Sequence, residues 1–165
     1  MALPASICPV PEEQQPLNEY TTLVDSWFYR WATLAFPNYV VPMVWIWAIS
    51  WLVVGPVSAY SFSPHKHFIQ FMLCGSAGAT CFLGLPLLWL YSGWAYVGDR
   101  LSRETVSYEE SGWYDGQVWQ KPPELAARDR LIVNYQIQPW LSRIRQTFVL
   151  LIVSATGCGV LCTLL

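Results

Sequence analysis

The chain has 165 residues, about the length of one domain. It is 54% hydrophobic and only 12% charged, roughly half the charged fraction of about 25% found in soluble proteins. Its net charge of −2 argues against nucleic-acid binding, which needs a basic field.

The charges are distributed very unevenly. None lies between Arg30 and Lys66, between Lys66 and Asp99, or after Arg145, leaving uncharged stretches of 35, 32 and 20 residues. A membrane helix needs about 20 mainly apolar residues. The hydropathy places spans near residues 39–60, 71–93 and 146–165. None carries the polar stripe that a helix of a soluble bundle shows. The ten Trp and nine Tyr suit side chains at a membrane–water boundary. The fold class is therefore an all-α membrane protein of about three transmembrane helices. A cytoplasmic or stromal loop holds a short hairpin and an amphipathic surface helix. The organisation reads as a polar tail (1–38), two spans with a short loop (39–98), the long loop (99–145) and a third span (146–165).

Residues 1–19 have neither the positive start and apolar core of a secretory signal nor the Arg-rich, acid-poor pattern of a transit peptide. The first span is expected to act as the insertion signal, in a bacterium or inside the organelle where the chain is made. Lys and Arg counts set the orientation. The long loop carries Arg100, Arg103, Lys121, Arg128, Arg130, Arg143 and Arg145, and the tail carries Arg30. The short loop has only Lys66. Tail and long loop are expected on the cytoplasmic (in a plastid, stromal) face, with the C-terminus opposite.

Within the spans, Gly75/Ala79, Ser76/Thr80/Gly84 and Ala155/Gly159 are small residues four apart, a spacing that lets helix backbones approach closely. Packing among the three helices is favoured over a homodimer face. Pro42, Pro56 and Pro86 are expected to kink or end helices. No acid or base lies inside a span, which argues against transport by this chain alone. Cys8, Cys74, Cys81, Cys158 and Cys162 show no C-x-x-C and no zinc-like set; those at helical spacing in apolar runs read as small hydrophobes. His65 and His67, in the S-P-H-K-H connection, read first as solvated loop residues. The sharper reading makes them ligands to a metal, a chlorophyll or a haem; no cofactor is predicted.

The long loop holds the densest set of polar and aromatic groups. Thr105-Val106-Ser107-Tyr108 alternates like a strand. Asp115-Gly116, flanked by Trp113, Tyr114, Val118 and Trp119, signals a hairpin turn. Pro122-Pro123 then opens a helix, with Leu125, Leu131, Ile132 and Tyr135 on its apolar face. Pro139 is expected to interrupt it with a kink before the third span. Glu109, Glu110 and Asp115 are three acids within seven residues. Glu109 and Glu110 point apart in a strand, and no histidine stands beside them. There is no nucleophile elbow, no phosphate-cradling loop and no H-E-x-x-H, so no enzyme is expected. The candidate partner-binding residues are Tyr108, Glu109, Glu110, Trp113, Tyr114, Asp115, Trp119, Arg128, Asp129 and Arg130. Arg forks pair with carboxylates or phosphates of a partner.

Three stretches carry a resemblance. They are C-P-V-P-E-E-Q-Q-P-L-N-E-Y from Cys8 with S-W-F from Ser26; G-W-A-Y-V-G-D-R-L from Gly93; and Y-E-E-S-G-W-Y-D-G-Q from Tyr108 through K-P-P at Lys121 and A-R-D-R-L at Ala127. Over nearly its whole length the chain resembles the hypothetical chloroplast reading frame thirty-six family, also called conserved in the green lineage and diatoms, number twenty-seven. The resemblance implies a cyanobacterial or plastid thylakoid membrane protein without an assigned reaction. It implies association with a photosystem subunit or assembly factor, in assembly, maintenance or protection under iron or oxidative stress. It brings no catalytic residues. Two other classes stay open: a pigment, haem or metal carrier, and a membrane enzyme acting on a lipid or quinone.

Overall fold

The computed structural model describes residues 10–108 and 116–164. Three of its helices are long and apolar enough to cross a membrane. Chain order is helix α1 (Pro16–Asp25), α2 (Phe36–Ser61), α3 (Phe68–Ser102), strands β1 (Thr105–Tyr108) and β2 (Gln117–Gln120), α4 (Pro123–Ile132) and α5 (Gln138–Leu164). A single π turn, Val133–Ile137, joins α4 to α5, so Pro123–Leu164 runs as one 42-residue helix. The chain divides into two units. One comprises 1–30 and 93–141, and the other 31–92 and 142–165.

The second unit is built from apolar helices held by small residues and satisfied hydroxyls. The indole of Trp51 covers Gly75, where an added Cβ would stand 2.4 Å from the ring, and Val54 covers Gly78 at 2.5 Å. Gly75 and Gly78 therefore let α3 approach α2 closely, and Ala79, one turn on from Gly75, is fully buried as the spacing predicts. Nothing lies within 4 Å of a Cβ placed on Gly84 or Gly159, so those positions take no part in close packing. Ser58, also buried, donates to Phe71 O at 2.9 Å, while Ser50 and Thr80 bond back to Ile46 O and Ser76 O. These bonds satisfy hydroxyls that would be costly to leave unpaired among apolar side chains. At the head of α2, Arg143 donates to Leu34 O and Ala32 O at 2.7 and 2.6 Å. Its guanidinium lies 4.8 Å from the Tyr39 ring centre. The fork thus closes the carbonyl end of the turn Tyr29–Thr33.

Several boundaries depart from the hydropathy reading. Helices α2 and α3 continue through Pro42, Pro56 and Pro86. Helix α3 runs nine residues past Gly93. Hydropathy marks the apolar slab, not the helix ends. Beyond the slab the last turn is supported by Asp99 and Arg103, four apart and 2.7 Å from each other. Pro139 does not interrupt the third helix. Its ring would clash with the carbonyl four residues earlier, that of Tyr135. That residue sits in the π turn, where the Gln138 N–H reaches five residues back to Val133 O. The wider turn relieves the clash and the helix carries on.

Candidate functional site

The first unit gathers the N-terminal arm, the end of α3, the β1–β2 ribbon and α4. The strands pair antiparallel, Thr105 opposite Gln120 and Tyr108 opposite Gln117. The alternation of β1 places Val106 and Tyr108 inward. They pack on Val10 of the arm, with Trp119 against them. The Tyr108 hydroxyl donates to Gln117 Oε1 at 3.0 Å. An isolated two-stranded ribbon is marginal in water, and this arm contact supplies the apolar burial it lacks. The candidates Glu109, Glu110, Trp113, Tyr114 and Asp115, and with Asp115 the first half of the Asp115-Gly116 turn, lie outside the described residues.

At the centre is an ion pair that the candidate set only half contains. The side chains of Lys121 and Asp129 are 3% and 6% exposed, and Lys121 Nζ donates to Asp129 Oδ2 at 2.8 Å. The ammonium also donates to Leu101 O at 3.1 Å and to Arg100 O at 3.4 Å. These are among the last carbonyls of α3, where a cation is favoured by the helix dipole. Lys121 thereby spends its three donors and ties ribbon, α3 and α4 together. Asp129 Oδ1 is buried without a hydrogen bond among the described residues, with Arg128 Nη2 at 3.6 Å. Arg130 instead turns outward to Glu104, 2.6 Å away in an exposed pair, worth ~0–1 kcal/mol.

The buried face of the α4 segment is Asp129, Val133 and Ile137. It is not the predicted face of Leu125, Leu131, Ile132 and Tyr135. Leu131 and Tyr135 are exposed, and Leu125 and Ile132 are half-buried. The charge of Lys121 calls Asp129 inward. Ile137 then comes within 3.2 Å of where a Cβ on Gly98 would stand, and Gly98 permits that approach.

A second pair fastens the arm. Glu19 on α1 pairs with Arg100 near the end of α3. Arg100 Nη2 also donates to Gln14 O at 3.1 Å. Burial pushes the Glu19 carboxyl above the ordinary range, against the opposing pull of Arg100. Beside it, the Tyr20 hydroxyl donates to Gln136 Oε1, and its ring meets Trp94 edge-on at 6.0 Å. Trp94 Nε1 donates to Tyr29 O at 3.0 Å. Tyr29 lies over Gly93, where an added Cβ would fall 2.3 Å from the ring. Gly93→Ala is expected to cost about 1–3 kcal/mol by overpacking, read as faster proteolysis of residues 10–30. Gly159→Ala, with open space, is the matched control.

The sequence reading missed Lys121, Glu19 and Arg100 as organisers. Nothing in local spacing marks residues 8 or 81 apart as partners. The available signal was the scarcity of charge itself, because a few charges in an apolar chain must each find a partner where they are buried. His65 and His67 are both exposed in the turn between α2 and α3; His67 N bonds Ser63 O at 2.9 Å, so the connection is turned, not extended. Among the described residues no three His, Cys, Asp or Glu side chains are grouped to hold a metal ion.

The charge partition between the units is extreme. All eleven Asp and Glu lie within 1–30 and 93–141, with six Lys and Arg, a net charge of −5. The other unit holds Lys66, Arg143 and Arg145 and no acid, a net charge of +3.

Residues 8–150 match the sequence model of the CGLD27-like family, described as conserved in the green lineage and diatoms 27. The chain is 41% identical over 147 residues to the Arabidopsis thaliana protein Conserved in the Green Lineage and Diatoms 27, chloroplastic, a match covering 88% of this chain and 45% of that protein. It thus spans less than half of the Arabidopsis relative. It is 41% identical to ycf36 of Pyropia yezoensis over 150 residues, 91% of each chain. It is 42% identical to ycf36 of Cyanophora paradoxa over 142 residues, 86% of this chain and 89% of the other. No solved structure matches the chain.

Proposed function

Since the chain belongs to the CGLD27-like family, conserved in the green lineage and diatoms 27, we propose that it is a non-enzymatic accessory factor of a plastid or cyanobacterial thylakoid membrane. Its acidic unit docks on a photosynthetic complex or an assembly intermediate of one. The observation that carries the reading is the charge partition: −5 on one unit and no acid at all on the other. Such a field steers a positively charged protein surface and repels nucleic acid and anionic lipid. The described carboxylates nearest the centre, Glu19 and Asp129, are engaged with Arg100 and Lys121. They hold the module together, and the exposed acids around them meet the partner. The Arabidopsis relative is named as chloroplastic, which supports the plastid assignment. The Lys and Arg count supports a stromal or cytoplasmic unit.

The test is affinity purification of the tagged full chain from thylakoid membranes, with partners identified by mass spectrometry. Photosynthetic subunits are expected in the wild-type eluate and depleted when the exposed acids Glu12, Glu13 and Glu124 are changed to Lys, in a variant whose membrane insertion is checked alongside. Normal photosystem accumulation in a deletion strain, under both iron-replete and iron-starved growth, would sink the reading.

A further inference from the structure

The arm turns back toward α2 through Ser26-Trp27-Phe28-Tyr29-Arg30-Trp31, four aromatics and one cation in six residues. Trp27 is 88% exposed, with a ring contact to its neighbour Phe28, edge-on at 5.8 Å. An indole left this open needs an apolar occupant or a boundary that suits one wet and one dry end. Its level is fixed by the residues beside it. Tyr29 lies on Gly93, and Trp94 holds the Tyr29 carbonyl. Gly93 stands six residues, about 9 Å at helical rise, before Asp99, the first charge of α3 after its apolar run. That depth matches the headgroup–acyl boundary. Neighbouring rings at the same level agree, since Trp140 meets Trp94 edge-on at 4.8 Å and Tyr96 is exposed on α3. The unit's net charge of −5 gives it no electrostatic attraction to lipid, so apolar insertion is the contact left to it.

We propose that residues 26–29 form an interfacial anchor, with the Trp27 ring seated in the headgroup layer of the bilayer. The anchor holds the returning arm at the membrane surface and presents the acidic unit at a set height. This rests on the membrane reading of the three long helices, which the experiment tests separately.

The full chain, with its five cysteines replaced by Ala, is given one cysteine at Trp27, Val118 or Leu52. Each variant is labelled with an environment-sensitive fluorophore and reconstituted in phosphatidylcholine vesicles. Spin-labelled lipids quench from the bilayer and iodide from water. Leu52, 77% exposed on α2, reports insertion; Val118, 66% exposed on β2, reports water. The label at Trp27→Cys is expected to be quenched by shallow spin-labelled lipid, at about 5–10 Å into the headgroup and acyl boundary. Iodide quenching like that at Val118, with lipid quenching only at Leu52, overturns the anchor and leaves the membrane reading standing. A label reached by neither quencher also overturns it, because protein then covers Trp27. Loss of lipid quenching at Leu52 overturns both.

Discussion

Lys121→Met is expected to lower the stability of the 93–141 unit by about 3–5 kcal/mol, the cost of stranding a buried charge. Asp129 is 4% exposed, and one of its oxygens already lacks a hydrogen bond among the described residues. Removing the ammonium leaves the carboxylate with Arg128 at 3.6 Å as its remaining cation. The double substitution Lys121→Met/Asp129→Leu is expected to recover most of the loss, because a buried pair replaced by apolar groups of similar size is often neutral. Recovery should stop short by about 0.5–1.5 kcal/mol per hydrogen bond, since Leu101 O and Arg100 O at the end of α3 lose their donor. Pulse proteolysis of the detergent-solubilised chain against denaturant reads all three variants. A loss below about 1 kcal/mol for Lys121→Met, the scale of an exposed pair, would show that the pair is solvated.

Glu12→Lys/Glu13→Lys/Glu124→Lys is expected to slow capture of the proposed partner by roughly 10- to 1000-fold, the span over which surface fields alter association rates. All three side chains are exposed. Reversing them takes the unit from −5 to +1 without touching Lys121, Asp129, Glu19 or Arg100. Co-purification from thylakoid membranes at low salt measures the effect. The wild-type interaction should itself weaken as salt shortens the screening length from about 10 Å at 0.1 M. Lys66→Glu, in the other unit, is the control expected to change nothing. Undiminished co-purification by a correctly inserted triple variant would remove electrostatics from the docking proposal.

Much of the fold was legible because membrane insertion is a coarse criterion. Three charge-free stretches each long enough to cross a bilayer have few alternatives, since every backbone group in lipid must be bonded internally. The strand pattern at Thr105–Tyr108 was readable for a similar reason, alternation being a local property. The helix ends were not. Backbone hydrogen bonding continues past the apolar slab, as at Ser102, and a π turn at Val133–Ile137 absorbs a proline that reads as a break. The Gly75/Ala79 stripe was recognisable, yet its equivalence to Gly84 and Gly159 was illusory. Only the indole of Trp51 over Gly75 distinguishes a used small residue from an idle one.

For the candidate site the division is sharper. Two of its proposed surface residues, Tyr108 and Asp129, face inward, while Arg130 faces out to Glu104. Composition and order by themselves determined that the chain carries three stretches long and apolar enough to cross a membrane and gathers its acids at one pair of segments, because hydropathy and charge are sums over residues. The tertiary structure alone decided which charges are spent inside. An ion pair such as Lys121–Asp129 depends on desolvation and on a distance of a few ångströms, and neither is written in the spacing of residues along the chain.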